Sequence, residues 1–129
     1  MFSASQFVAH LVGDYLLQSD WMAQGKTARH LPAFAHAFAY GLPFLCLRPS
    51  LAAWAVIVAS HFLLDRWRLA RYVCWAKNFL APRGANAPWA ECWSTGSPND
   101  RPAWLSVWLM ILADNTIHLL INGAALRWL

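Results

Sequence analysis

Charge is scarce in this chain. Only 12% of its residues are Asp, Glu, Lys or Arg, about half the share of ordinary soluble domains. Apolar residues make up 59%, and Trp alone occurs nine times. A soluble protein of 129 residues would struggle to hide that much apolar surface, so the composition points to a membrane protein. Cysteine is also sparse: Cys46, Cys74 and Cys92, with no C-x-x-C pair. That argues against a disulfide framework and a Cys-rich zinc site. The start of the chain has neither a basic leader nor a small-residue cleavage site, so no removable signal peptide is expected. The net charge of +4 does not imply nucleic acid, because the basic residues flank apolar segments and form no solvated face. No repeat of fixed period is present.

What is there reads as an all-α chain: a single domain, 1–129, folded as a compact transmembrane bundle of about four helices. Segment one runs from about Ser5 to Gln24, with Ser3 or Ser5 as N-cap and Gly25 as stop. Segment two starts at Pro32, reaches about Leu47 and is broken or kinked near Gly41-Leu42-Pro43. Segment three is capped by Ser50, is apolar through Leu64, and continues as a basic, aromatic half with Arg66, Arg68, Arg71 and Lys77. Residues 81–102, rich in Pro and Gly, form the loop. Segment four, Ala103 to about Trp128, is the longest apolar run. If the segments alternate across a bilayer, eight basic residues fall on the side of the 25–31 link and the 66–102 region. Only Arg48 and Arg127 fall on the other. The expectation is a multi-pass inner-membrane protein with both termini outside and the large loop cytoplasmic.

Polar residues inside the apolar segments carry the functional signal. His10 and Asp14, His61 and Asp65, and Asp114 and His118 are each four residues apart, which puts each pair on one helix face. With six acidic residues in the chain, a given His has about a 9% chance of a carboxylate at that spacing. Three such pairs among five histidines are about a one-in-a-hundred coincidence. Carboxylates in lipid face partners and mark function, and imidazole with carboxylate is a ligand set for Zn, Mn or Fe. The expected site therefore takes His10, Asp14, His61, Asp65, Asp114 and His118 as metal ligands, most simply of Zn. His36 is an extra ligand or general base, and Asp114 shares the catalytic work. A single His/Asp pair would more simply bond to itself; three pairs and His36 tip the reading towards a metal or catalytic cluster. Gln18, on the stripe of His10 and Asp14, reads as a helix–helix hydrogen bond, and His30 as a solvated link residue.

The stretches His10-x-x-Gly13-Asp14-x-x-Leu17-Gln18, His36, His61-x-x-x-Asp65, Asp100-Arg101-Pro102 and Asp114-x-x-x-His118 together resemble a small family of bacterial and phage membrane proteins, domain of unknown function 3307. The resemblance implies a compact multi-helix membrane protein, sometimes phage-encoded, and no established activity. The His/Asp arrangement is also distantly similar, by motif alone, to membrane-bound metal-dependent hydrolases. Two functions follow as expectations. One is a metal-dependent hydrolase acting on a lipid-like or phosphate-bearing substrate, with membrane lipids as partners and oligomerisation open. The other is a non-catalytic membrane interaction protein acting on a host envelope or partner, its His/Asp pairs serving as polar glue. A proton or metal-ion conduit ranks below both.

Overall fold

A computed structural model describes residues 3–82 and 84–129. Among them there are seven α-helices and no strand. They are α1 (Ala4–Leu11), α2 (Asp20–Gly25), α3 (His30–Gly41), α4 (Leu51–Trp67), α5 (Ala70–Ala76), α6 (Trp89–Cys92) and α7 (Ala103–Trp128). A π-helical turn, Val12–Leu16, follows α1, and 3-10 turns follow α3 (Pro43–Leu47) and α5 (Lys77–Leu80). The chain divides into two compact units, residues 1–68 with 118–129, and residues 69–117.

The helix count exceeds four because segments one and three are each split into two α-helices and the expected loop holds α6. Segment one is broken after the π turn, and Ser19 starts α2 by accepting a hydrogen bond from the Met22 amide. Segment two begins at His30, so Pro32 is its third residue, where a missing N–H is still harmless. The expected break is there: α3 ends at Gly41, and Pro43 opens the 3-10 turn. Segment three starts as expected, with Ser50 Oγ accepting from the Ala53 amide at 3.0 Å. It ends early because Arg68 adopts a left-handed conformation, φ 53 at Arg48 and 51 at Arg68 being the positive values outside glycine among the described residues. The Arg68 amide then donates to Asp65 O and Leu64 O, which closes the helix end.

In the first unit α3 packs along α4 and against α2, while α1 meets the turn 43–47. Its small apolar core is Ala9, Tyr40, Phe44, Ala53, Ile57 and Ala125. Around that core the usual polarity is inverted. Gln6, His10, Asp14, His36, His61, Asp65, His118 and Asn122 are buried, whereas Leu16, Leu31, Phe34 and Leu51 are exposed. In the second unit Trp89 stacks on Tyr72 with ring centroids 4.7 Å apart. Arg71 lies over Tyr72 and donates to Trp93 O at 3.0 Å. Gly96, at φ 78, comes so close to Arg71 that a Cβ would sit 2.1 Å from its carbonyl oxygen. The expected loop 81–102 thus contains α6 and a tight turn held on α5.

Among the described residues, two helical stretches are long and apolar enough to cross a membrane: His30–Leu47 and Ala103–Trp128. The second would be about 39 Å long at 1.5 Å per residue. Only 11% of its apolar window is buried, and Trp104, Trp108 and Leu112 are all exposed.

Candidate metal centre

Four local devices aim side chains at one point in the first unit. Asp14 rides the π turn, where the wider turn changes the register of the helix face. Gly13 lets that turn press onto α3: a Cβ there would lie 2.6 Å from Tyr40 O. His36 sits mid-way along α3, and His61 and Asp65 stand one turn apart on α4. Lys26, just past α2, is brought in by a tight link. Gly25 accommodates the Pro32 ring, which a Cβ would meet at 2.6 Å, and Arg66 Nη1 donates to Thr27 O at 2.8 Å.

Ligand atoms of Asp14, His36, His61 and Asp65 all lie within 4.8 Å of one another, and all four residues are buried. His36 Nε2 is 2.9 Å from His61 Nε2, 3.2 Å from Asp14 Oδ1 and 3.2 Å from Asp65 Oδ2. His61 Nε2 is 3.3 Å from Asp65 Oδ2 and 3.8 Å from Asp14 Oδ1. Lys26 Nζ is 2.8 Å from Asp65 Oδ2, 3.3 Å from His36 Nε2 and 3.9 Å from Asp14 Oδ1.

These distances suit hydrogen bonds, and the crowding of donors around one point suits a cation-binding shell as well. A neutral imidazole nitrogen carries either one proton or one lone pair, so it makes one good hydrogen bond. His36 Nε2 has four polar neighbours within 3.3 Å. Ligands held at 2.0–2.2 Å around a tetrahedral ion stand roughly 3.3–3.6 Å apart. Five of the six edges among these four donors span 2.9–3.8 Å, which brackets that spacing. The buried His/Asp cluster can therefore hold a metal ion.

Around the cluster lies a polar scaffold. The Tyr40 ring stacks on His61, centroids 3.6 Å apart and nearly parallel. Its hydroxyl is 2.8 Å from His10 Nδ1 and accepts from Asn122 Nδ2 at 2.5 Å. His118 Nε2 is 3.5 Å from Asp65 Oδ1, the oxygen turned away from His36 and His61. Of the expected ligands, Asp14, His61 and Asp65 converge together with His36. His118 reaches Asp65, and His10 stands behind, against Tyr40. Asp114 is half-buried on α7, one turn before His118 and at the end of the second unit. Gln18, expected on the stripe of His10 and Asp14, falls in the link after the π turn. His30 is exposed at the start of α3, near Phe62 and Trp67. The cysteines take no part: Cys46 is exposed, and Cys74 donates to Leu109 O in the second unit, its thiol pushed up by burial.

A family described as "Protein of unknown function (DUF3307)" matches residues 2–84, about two thirds of the chain. The chain belongs to this family. The stretch shared with DUF3307 contains Asp14, Lys26, His36, His61 and Asp65, so the whole convergent set lies within it. His118 and Asp114 lie beyond it. No curated protein and no solved structure matches the chain.

Three participants escaped the sequence reading. Lys26 looked like an ordinary topogenic charge, and nothing local separates it from Arg29. Tyr40 lies four residues after His36 on the same helix face. Asn122 bears the same relation to His118, and that spacing was the available signal.

Proposed function

We propose that the chain is an integral membrane protein whose His/Asp cluster binds a divalent metal and supports hydrolysis of a lipid-like or phosphate-bearing substrate. The observation that carries the metal reading is the convergence of Asp14, His36, His61 and Asp65 at edge lengths suited to one coordination shell. Two imidazoles and two carboxylates suit Zn first, with Mn or Fe as alternatives. His36 belongs to the donor set, which favours its role as ligand over that of general base. His118 would steady the Asp65 carboxylate from its far oxygen, as outer partners of metal ligands do. Asp114 stays a candidate for catalytic work, one turn from His118 on α7.

A metal held there would lower the pKa of a bound water and polarise an ester, amide or phosphoester. The residues around it exclude bulk water, since the four donor side chains are at most 7% exposed. The inverted polarity of the first unit and the bare apolar face of α7 support a membrane setting. The eight-to-two bias of basic residues supports an inner-membrane topology with both termini outside. A site in such a setting, next to Lys26 and Arg66, suits an anionic lipid-like substrate.

Elemental analysis of detergent-purified protein tests the metal. About one equivalent in wild type and little in Asp65→Ala are expected. Sub-stoichiometric metal in wild type, unchanged by the substitution, would sink the reading. A second reading has one observation in its favour: Lys26 and Asp65, 2.8 Å apart, already neutralise part of the cluster without any ion. The pairs would then be polar glue in a membrane interaction protein. Full stability in chelator with no metal bound would support that alternative.

A further inference from the structure

The metal centre proposed above contains a fifth, cationic member, and its place bears on how the site is loaded. We infer that Lys26 and the divalent cation are alternative occupants of one site, Lys26 acting as a built-in plug that the metal displaces. The inference rests on the metal reading and adds to it.

Position is the first argument. Lys26 Nζ touches three of the four donors, Asp65 Oδ2 at 2.8 Å, His36 Nε2 at 3.3 Å and Asp14 Oδ1 at 3.9 Å. Those are ammonium contacts, longer than the 2.0–2.2 Å of a bound ion, and they fall on the same donor atoms that an ion would need. Charge is the second. Asp14 and Asp65 together bring two negative charges, so one ammonium leaves the site negative and one dication neutralises it. Both cations together, a few ångströms apart in a buried place, would repel strongly. Access is the third. The donor side chains are 0–7% exposed, while that of Lys26 is 19% exposed. Lys26 is thus the member that reaches the surface, on a flexible four-carbon stem. Its backbone is pinned on both sides, by the Gly25–Pro32 approach and by the Arg66 bond to Thr27. The side chain can therefore leave while the link stays in place.

Without metal the plug offsets the repulsion between the Asp14 and Asp65 carboxylates. Removing it should loosen the empty site and open the donors to the ion. The test compares full-length wild type, Lys26→Met and Lys26→Arg in detergent. Zinc affinity is read by competition with a chromophoric chelator, and thermal unfolding is followed in EDTA and in zinc. Lys26→Met is expected to bind zinc at least about tenfold more tightly, since a competing charge is gone. It should melt lower than wild type in EDTA and recover in zinc. Lys26→Arg should stay within about threefold of wild type in zinc affinity, because the charge is kept. Should Lys26→Met not survive purification, Lys26→Gln carries the same comparison. Equal or weaker zinc binding by the neutral variant, with both proteins loading one equivalent, overturns the plug and leaves the metal centre standing. No stoichiometric zinc on either protein overturns both.

Discussion

Asp65 is the residue whose loss should be felt most. Its carboxylate lies 2.8 Å from Lys26 Nζ, 3.2 Å from His36 Nε2, 3.3 Å from His61 Nε2 and 3.5 Å from His118 Nε2, and the side chain is 4% exposed. At an effective dielectric of about 20, two unit charges at the Lys26–Asp65 distance attract by about 6 kcal/mol. Desolvation offsets much of that. What counts for a substitution is the state left behind: Lys26 keeps only the more distant Asp14 carboxylate, 3.9 Å away, and His36, His61 and His118 lose the carboxylate they share. Breaking a buried pair from one side costs about 3–5 kcal/mol, against a total stability of roughly 5–15 kcal/mol. For a chain of this length that is a fall in Tm of roughly 10–20 °C. Asp65→Ala and the isosteric Asp65→Asn should both show it in detergent with chelator present, by circular dichroism or dye-based melting. Glu91→Ala, an exposed acidic control, should change stability by no more than about 0.5 kcal/mol. A loss below about 1 kcal/mol in both Asp65 variants, the range of a surface ion pair, would refute the buried-charge reasoning.

Three further outcomes follow from the same geometry. Gly13→Ala places a Cβ 2.6 Å from the Tyr40 carbonyl, so the π turn must lift off α3; a loss of about 1–3 kcal/mol and weaker metal binding are expected by melting and chelator competition. Tyr40→Phe keeps the stack on His61 but strips the hydroxyl from His10 and Asn122, which should cost about 1–3 kcal/mol without abolishing metal content; full stability would show the network to be idle. Trp104 and Trp108, 67% and 58% exposed, should be quenched by brominated lipid when the protein is reconstituted, and unquenched tryptophans would count against the membrane setting.

Much of the helical framework was legible because its signals are local. Ser50 capping α4, the change of helix type at Pro43 and the helix end at Gly25 each depend on a few neighbouring residues. The interruptions were not legible. Arg68 in a left-handed conformation is a break that no residue preference announces. The π turn at Val12–Leu16 was hidden too, since a helix pattern read at 3.6 residues per turn carries straight through it. That local shift explains why Asp14 joins His36 while Gln18, aligned with it on paper, does not.

Sequence alone determined that this chain is helical, that it is short of charge, and that its few His and Asp residues pair at helical spacing. Those are properties of composition and of period, both written along the chain. Which pairs meet was decided by the tertiary structure. The approach of α3 to α4 makes His36 a neighbour of His61 and Asp65, and the Gly13 contact with Tyr40 delivers Asp14 to the same point. A link folded tightly past Gly25 turns Lys26 from a surface charge into the cation at the open edge of the cluster. Spacing sets which face of a helix a residue occupies, whereas convergence depends on how the faces pack, and packing is a long-range property.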